Sequence, residues 1–125
     1  MGQEEQPTKE VDQFILDEID SVPHLEALLL LWNSRPKQWA PDEMSKAIYI
    51  SSEQTQSILQ DLQNRKLAEN DSGRFFYQSS LGRDRLIDSL DRIYRREVVR
   101  VSTMIHSKAS PAVRAFARAF RLKKD

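Results

Sequence analysis

The chain has 125 residues, no cysteine and a formal net charge of zero, with 39% hydrophobic and 30% charged residues. This length suits one domain with tails, and the balance of apolar and charged residues is typical of a globular, helix-rich, water-soluble protein. The composition excludes disulfides and cysteine-ligated metals. No apolar run is long enough for a membrane span, so we expect a cytoplasmic protein that contacts no membrane.

Charge is distributed unevenly along the sequence. Residues 1–20 carry seven acids and one lysine, whereas residues 91–125 carry ten basic and three acidic residues. The basic end would suit an anion-binding surface, and the alternative is that both ends are solvated and attract each other. Residues 1–10 are polar and lack an apolar anchor, so they are predicted to form a disordered acidic tail.

The first helical signals lie between residues 11 and 33. Residues 11–16 favour a short amphipathic helix. Ser21 is a suitable N-cap and Pro23 suits the first turn of the next helix, because its missing N–H has no helical partner there. Residues 23–33 are apolar almost all round, which predicts a helix at the centre of the fold.

Two further helices are marked by their starts. Pro41 followed by two acids predicts a helix, since the helix dipole favours negative charge in the first turn. Ser51 and Gln54 fit a capping box that opens the next helix. The predicted buried face of that helix consists of the apolar and small side chains at helical spacing, namely Thr55, Ile58, Leu59 and Leu62.

A hairpin and a long helix complete the predicted elements. Residues 67–77 contain two short extended runs around a turn at 71–73, where Gly73 can take the positive φ that a hairpin needs. Residues 81–107 keep one apolar stripe and are predicted to form a single helix of roughly 40 Å, too long for a small core to cover. Another helix is predicted after Pro111.

The order helix, helix, helix, hairpin, helix resembles that of a winged helix-turn-helix domain. The resemblance rests on LEALLLLW for the first core helix, APDEMSKAIYI for the second, SSEQTQSILQDLQNRKLAEN for the recognition helix and first wing strand, and DSG with RFFYQ for the wing. The match covers about residues 22–80 and resembles MarR-like and related bacterial transcriptional regulators. The fold class expected is therefore mainly α with a small β-hairpin. Residues 11–80 would form the winged-helix domain and residues 81–125 a helical extension.

The resemblance implies that the helix after Ser51 enters the DNA major groove and that the wing contacts the backbone. Gln can pair with adenine, Ser can contact bases or phosphate, and basic side chains hold phosphates. Double-stranded DNA is accordingly the expected partner of a regulator of transcription. The predicted DNA-binding residues are Ser52, Gln54, Gln56, Ser57, Gln60, Arg65, Lys66 and Arg74, with Arg35, Lys37 and Lys46 as further nearby cations.

The resemblance also implies a homodimer, because several such families dimerise through a long C-terminal helix. The apolar stripe supports this, since part of it would have to meet something outside a small core. The predicted dimerisation residues are Leu90, Tyr94, Val98, Val101, Ile105, Phe116 and Phe120. A basic stripe near the end of the chain would bind DNA, RNA or an acidic partner, or would simply be a solvated face; it consists of Arg114, Arg118, Arg121, Lys123 and Lys124.

The surface of the recognition helix motivates an alternative function, that of a protein-interaction module. None of its six groove-facing candidates is basic, and Glu53 would repel phosphate, whereas much of the affinity for DNA comes from neutralising phosphates. Winged-helix domains also serve as protein-interaction modules, so the fold alone does not decide between DNA and a protein partner. A ligand-sensing pocket is a third hypothesis without a sequence signal of its own.

Signals for catalysis or metal binding are missing from the sequence. The two histidines, His24 and His106, lie in different predicted helices without further ligands at zinc-site spacing, so no metal or cofactor is expected. No serine lies in a nucleophile motif and no glycine-rich phosphate loop is present, so the chain is not expected to be an enzyme. Trp32 is expected in the core; for Trp39, core packing and a pocket wall stay open.

Overall fold

A computed structural model describes the backbone of residues 2–109 and the side chains of residues 8–108. It is mainly α-helical with one small antiparallel hairpin, which confirms the predicted fold class. Residues 110–125, with the predicted last helix, Phe116, Phe120 and the terminal basic stripe, lie outside this part. The elements are α1 (Gly2–Glu18), α2 (Val22–Asn33), α3 (Pro41–Ile48), α4 (Ser52–Asn64), β1 (Ala68–Asp71), β2 (Arg74–Tyr77), α5 (Leu81–Arg96) and α6 (Val98–Ala109).

The predicted helix starts are confirmed by their hydrogen bonds. The Ser21 hydroxyl accepts from the backbone N–H of His24, and Pro41 occupies the first turn of α3. At α4, the Ser51 hydroxyl accepts from the Gln54 N–H at 3.0 Å, and the Gln54 side chain accepts from the Ser51 N–H at 3.3 Å. This capping box satisfies donors that a helix end leaves free, so the start of α4 is determined locally.

Helix α2 lies at the centre of the core, as its apolar sequence predicted. Six of its twelve residues are buried, and it contacts α3, α4, α5, α6 and β2. The predicted buried face of α4 is confirmed in full. Both tryptophans belong to this core, each with 8% exposure, which decides the open question for Trp39 in favour of packing.

The hairpin has a two-residue turn at Ser72 and Gly73, whose φ angles are 56° and 87°. Positive φ at both central positions gives the twist that closes a two-residue hairpin, and glycine takes it without strain. Trp39 adds a third short segment, since its N–H donates to the Phe75 carbonyl at 2.8 Å and its own carbonyl accepts from the Phe75 N–H at 2.7 Å. These bonds hold the hairpin beside α3 and α4.

The start of α5 is tied to the hairpin by the Asp84 carboxylate. It accepts from the Tyr77 hydroxyl at 2.8 Å, from the Ser80 N–H at 3.0 Å and from the Ser79 hydroxyl. The Ser79 hydrogen bond, followed by those from Ser80 and Tyr77, lowers the pKa of Asp84 despite its partial desolvation. Burial, reinforced by Asp84, raises the pKa of Tyr77. The network therefore favours an ionised carboxylate accepting from a neutral phenol.

The prediction of a single long helix over residues 81–107 is wrong. The backbone breaks at Glu97, with φ −131° and ψ 47°, and α6 packs against α1 and α2. Val101 and Ile105 are fully buried by this turn. A straight helix would have left both in water, and burying them in the same chain removes that cost. The described part of the predicted extension thus belongs to the same core as the rest.

Helix α1 begins at Gly2, whereas residues 1–10 were predicted to be disordered. Val11, Phe14 and Ile15 are buried and anchor the second half of the helix. Once a helix is nucleated, each further residue adds a hydrogen bond at low cost, and Glu and Gln are good helix formers. The polar residues therefore continue a helix that the apolar ones stabilise. None of the described helices is both long enough and apolar enough to cross a membrane.

Candidate interaction surfaces

The outer side of α4 is polar and open to solvent, as the sequence predicted. The residues predicted to contact DNA from this helix are all exposed, namely Ser52, Gln54, Gln56, Ser57 and Gln60. Gln54 is engaged in the capping box, and the Gln60 amide donates to Gln63 at 3.4 Å and to Asn64 at 3.3 Å. Within the described residues, the side chains of Gln56 and Ser57 make no hydrogen bond. These two are the most available to a partner.

Arg65 does not lie with the predicted DNA-binding set. Its guanidinium donates to the Asp17 carbonyl at 3.1 Å and to the Asp20 carboxylate at 3.1 Å, and it lies 3.6 Å from Glu18. These groups belong to the end of α1 and the turn that follows it, 45 or more residues earlier in the chain. Arg65 therefore holds that turn against the end of α4, which is a correction to its predicted role as a phosphate contact.

The two cations before α3 are also engaged within the chain. Arg35 lies over the Trp32 ring, 3.4 Å from its centroid, and donates to the Trp32 carbonyl at 2.6 Å. Lys37 pairs with Glu43 at 3.1 Å and lies 4.0 Å from the Trp39 ring centroid. The hydrogen bond from Lys37 lowers the pKa of Glu43, so this acid stays ionised. Neither cation is free to neutralise a phosphate.

Among the described residues around α3, α4 and the hairpin, unpaired acids consequently outnumber unpaired cations by four to three. Lys46, Lys66 and Arg74 are exposed and form no ion pair within the described residues. Four exposed acids on the same elements likewise form none there. We call these four acids, together with Gln56 and Ser57, the acidic face; the acids are Asp42, Glu53, Glu69 and Asp71.

A shallow open groove of 520 Å³ lies within the acidic face, between the first turns of α3 and α4. It is lined by Ala40, Pro41, Asp42, Ser52, Glu53 and Gln56. Asp42 and Glu53 each lie in the first turn of a helix, where the dipole stabilises negative charge. A phosphate would compete for the same helix ends and would meet both carboxylates. A cationic side chain would instead be attracted there.

A second groove, of 440 Å³, lies on the side of α3 that faces α2 and α5. Its apolar centre includes Leu30 and Ile48, and Tyr49 stands at its edge with 91% of its surface exposed. We call it the α2–α5 groove; it is lined by Glu26, Leu29, Leu30, Asn33, Ala47, Ile48, Tyr49, Asp91, Tyr94 and Arg95. The sequence analysis missed it, because a tyrosine after a short helix gives no signal of exposure.

The predicted dimerisation residues do not form one exposed stripe. Leu90, Val101 and Ile105 are fully buried in their own chain, and Tyr94 is half-buried in the α2–α5 groove. Val98 alone of the five described positions is clearly exposed, at 47%. The premise that the stripe needs a second subunit is thus wrong for the described helices, because the break at Glu97 buries it internally.

His24 is partly buried and lies in a cluster with two carboxylates. Its Nδ1 is 2.6 Å from the Ser21 hydroxyl and its Nε2 is 2.9 Å from the Asp61 carboxylate. Asp20 brings a third possible ligand atom, all three lying within 4.8 Å of one another. The Arg65 guanidinium already holds Asp20, so a metal ion would have to displace a cation. The contacts of the cluster are those of an ion-pair network joining α2 to α4.

Comparison of the chain with protein-family models, with curated proteins and with solved structures found no match. The resemblance to MarR-like regulators therefore stays a prediction, as does the cytoplasmic location.

Proposed function

We propose that this chain is a winged-helix protein-interaction module that binds a basic segment of a partner protein on its acidic face. The proposal rests on one observation: four exposed acids of this face form no ion pair among the described residues, whereas Arg35 and Arg65 are engaged elsewhere in the chain. A cationic partner gains attraction there, and charge complementarity of this kind speeds association and excludes wrong partners. The proposal includes no catalytic role.

The groove between α3 and α4 is the natural centre of such a contact. Asp42 and Glu53 lie on its two sides, and Gln56 can hydrogen-bond the backbone of a bound segment. A lysine or arginine of the partner would approach both carboxylates while its aliphatic stem covers Ala40 and Pro41.

DNA binding is the second candidate, and the open polar side of α4 favours it. Gln56 and Gln60 are exposed on the helix that the resemblance assigns to the major groove, and glutamine can pair with adenine. Among the described residues near this helix, Lys46, Lys66 and Arg74 would remain to neutralise phosphates. Because each phosphate contact contributes to affinity, this set predicts weak and strongly salt-dependent binding even in a dimer.

Site-specific photo-crosslinking in cells tests the first proposal. A photoreactive amino acid at Gln56 should give a specific adduct with a protein, and one at the exposed Arg92 of α5 should not. Reversing the charges with Asp42→Lys and Glu53→Lys should reduce the Gln56 adduct roughly tenfold or more, since each factor of ten corresponds to about 1.4 kcal/mol. An adduct that survives both reversals would contradict binding by charge.

A gel-shift assay at low salt separates the two candidates. The protein-interaction proposal expects no shift of random or genomic duplexes by the native chain. The charge-reversed variant should bind duplexes better than the native chain, because two repulsive groups become phosphate contacts. A salt-sensitive shift by the native chain that Gln56→Ala and Gln60→Ala abolish would favour DNA and reject the proposal.

A further inference from the structure

We propose that the α2–α5 groove is a self-association surface, on which a second copy of this chain docks around a two-fold axis. The groove lies on a different side of α3 from the acidic face, so the inference does not depend on the function proposed above. Its apolar centre is formed by Leu29, Leu30, Ala47 and Ile48. An open apolar groove of this kind is typical of a contact surface.

Tyr49 projects beside the groove and can fill the groove of a second copy. The residue closes α3 in the left-handed conformation, with φ 60°, and its ring is 91% exposed. An exposed tyrosine supplies a large rigid apolar surface with a polar end, which is why the residue is enriched in protein contacts. Each copy thus offers both the projecting ring and the groove that can receive it.

The charges of the groove identify a second copy as the occupant. Glu26 lies towards one end, where the Tyr94 hydroxyl donates to it at 3.4 Å, and it forms no ion pair among the described residues. Arg95 lies towards the other end, where it donates to Asn33 at 3.2 Å. Asn33 is seven residues after Glu26 on α2, which separates the two ends by roughly 10 Å.

A two-fold axis perpendicular to the length of the groove pairs unlike ends. In such an interface, residue i of one copy meets residue j of the other, and j meets i. Glu26 of each copy would therefore lie opposite Arg95 of the other, twice per dimer. Arg95 already donates to Asp91 of its own helix through Nε at 3.2 Å, but its side chain is 65% exposed and its Nη1 makes no hydrogen bond within the described residues, so it keeps a donor for this contact. The surface is complementary to itself, as a second copy requires.

The groove offers a dimer interface, whereas the apolar stripe predicted over residues 81–107 is largely buried in its own chain and cannot form one. Leu90, Val101 and Ile105 are used in the core of their own chain. Tyr94, by contrast, lines the groove and would contribute to the contact. Burial of the Tyr94 ring, together with the charge of Glu26, raises the pKa of its hydroxyl, so it remains a hydrogen-bond donor at the contact.

Sedimentation of the full chain at micromolar concentrations tests the proposal. The native chain should sediment as a dimer of a 14.6 kDa subunit. Tyr49→Ser should raise the dissociation constant roughly tenfold or more, the effect expected when an aromatic anchor of an interface is removed. The matched control, Leu81→Ser, removes a side chain that is 99% exposed outside the groove and should change nothing.

Charge exchange gives the sharper test. Glu26→Arg alone places like charges opposite each other, and so does Arg95→Glu alone, so each variant should be largely monomeric. An equimolar mixture of the two variants restores an attractive pair at both contacts, so mixed dimers should form. Because mixing leaves the fold of each chain as it was, this recovery cannot come from a repaired structure. A monomeric native chain, a mixture no better than its components, or equal effects of Tyr49→Ser and Leu81→Ser would each overturn the proposal.

Discussion

Two sides of the molecule use their charges in opposite ways. Where α1 meets α4 and α6, the cations Arg65, Arg100 and Lys108 are bound to groups of the same chain: Arg100 pairs with Asp12 at 3.0 Å, and Lys108 donates to the Ile15 and Leu16 carbonyls. On the acidic face, by contrast, the four carboxylates form no ion pair within the described residues.

The contrast shows that a net charge says little about a surface. Lysines and arginines together equal the acids in number over the chain, yet cations such as Arg65 and Arg100 are used to hold helices together. Hydrogen-bonded ion pairs between elements fix geometry, whereas unpaired surface acids attract a partner. The region where α1 meets α4 and α6 and the acidic face thus differ in whether their charges are already paired within the chain.

The largest effect should come from the apolar contact that anchors α6. Ile105→Ala is expected to lower the free energy of unfolding by about 2–5 kcal/mol, through lost burial and the cavity left behind. Urea unfolding followed by circular dichroism measures this. Val99→Ala, at a position 79% exposed on the same helix, should change it by less than about 0.5 kcal/mol. Equal, small effects would mean that α6 does not pack as described.

Removing the cation at the α1–α2 turn should have the next largest effect. Arg65→Met breaks bonds to Asp17 and Asp20 and should cost about 1–2 kcal/mol, a value reduced from that of fully buried charged hydrogen bonds because the side chain is partly exposed. Thermal unfolding at neutral pH measures the loss. Arg74→Met, at an unpaired cation of the hairpin, is the matched control and should leave stability unchanged; a similar loss there would remove the contrast between the two sides.

The start of α4 should depend on its cap. Ser51→Ala removes the acceptor for the Gln54 N–H and is expected to cost about 1 kcal/mol. Chemical unfolding of Ser57→Ala provides the comparison, because Ser57 is exposed and makes no side-chain hydrogen bond within the described residues. If both substitutions proved neutral, the capping box would not determine the position of this helix.

The smallest expected effect is a pH-dependent change in stability that involves Asp84. The pKa of Asp84 is lowered from 3.8, so its hydrogen bonds contribute stability that is fully present above the unfolded value. That contribution is lost as the pH falls through the lower, folded-state pKa. The Asp84→Asn variant should therefore have a lower free energy of unfolding than the native chain at pH 7. The difference in free energy of unfolding between the two chains should decrease below about pH 4. Unfolding curves measured from pH 7 to below pH 4 test this expectation. A difference in free energy of unfolding that increases in acid would contradict it.

The features that the sequence predicted correctly depend on neighbouring residues. The capping box of Ser51 and Gln54, the buried stripe of α4 and the turn at Gly73 each follow from a few consecutive positions. The exposed glutamines followed for the same reason, since helical periodicity assigns one side to the core. The broken helix did not follow, because Glu97 is neither proline nor glycine and no local signal marks it.

The roles of charged and exposed residues needed the tertiary structure. Arg65 resembles a phosphate contact in sequence, and only the fold brings Asp17 and Asp20 to it. The α2–α5 groove likewise joins residues from three helices that lie far apart in the chain.

The sequence by itself determined the kind and order of the elements from α2 to the hairpin and the inward side of α4, because backbone hydrogen bonding and periodic apolar burial act over a few residues. Only the tertiary structure decided which cations are engaged, where the last helix turns back and which apolar residues stay open. Those outcomes depend on groups that are tens of residues apart in the chain. Such groups can interact only after folding has brought them together.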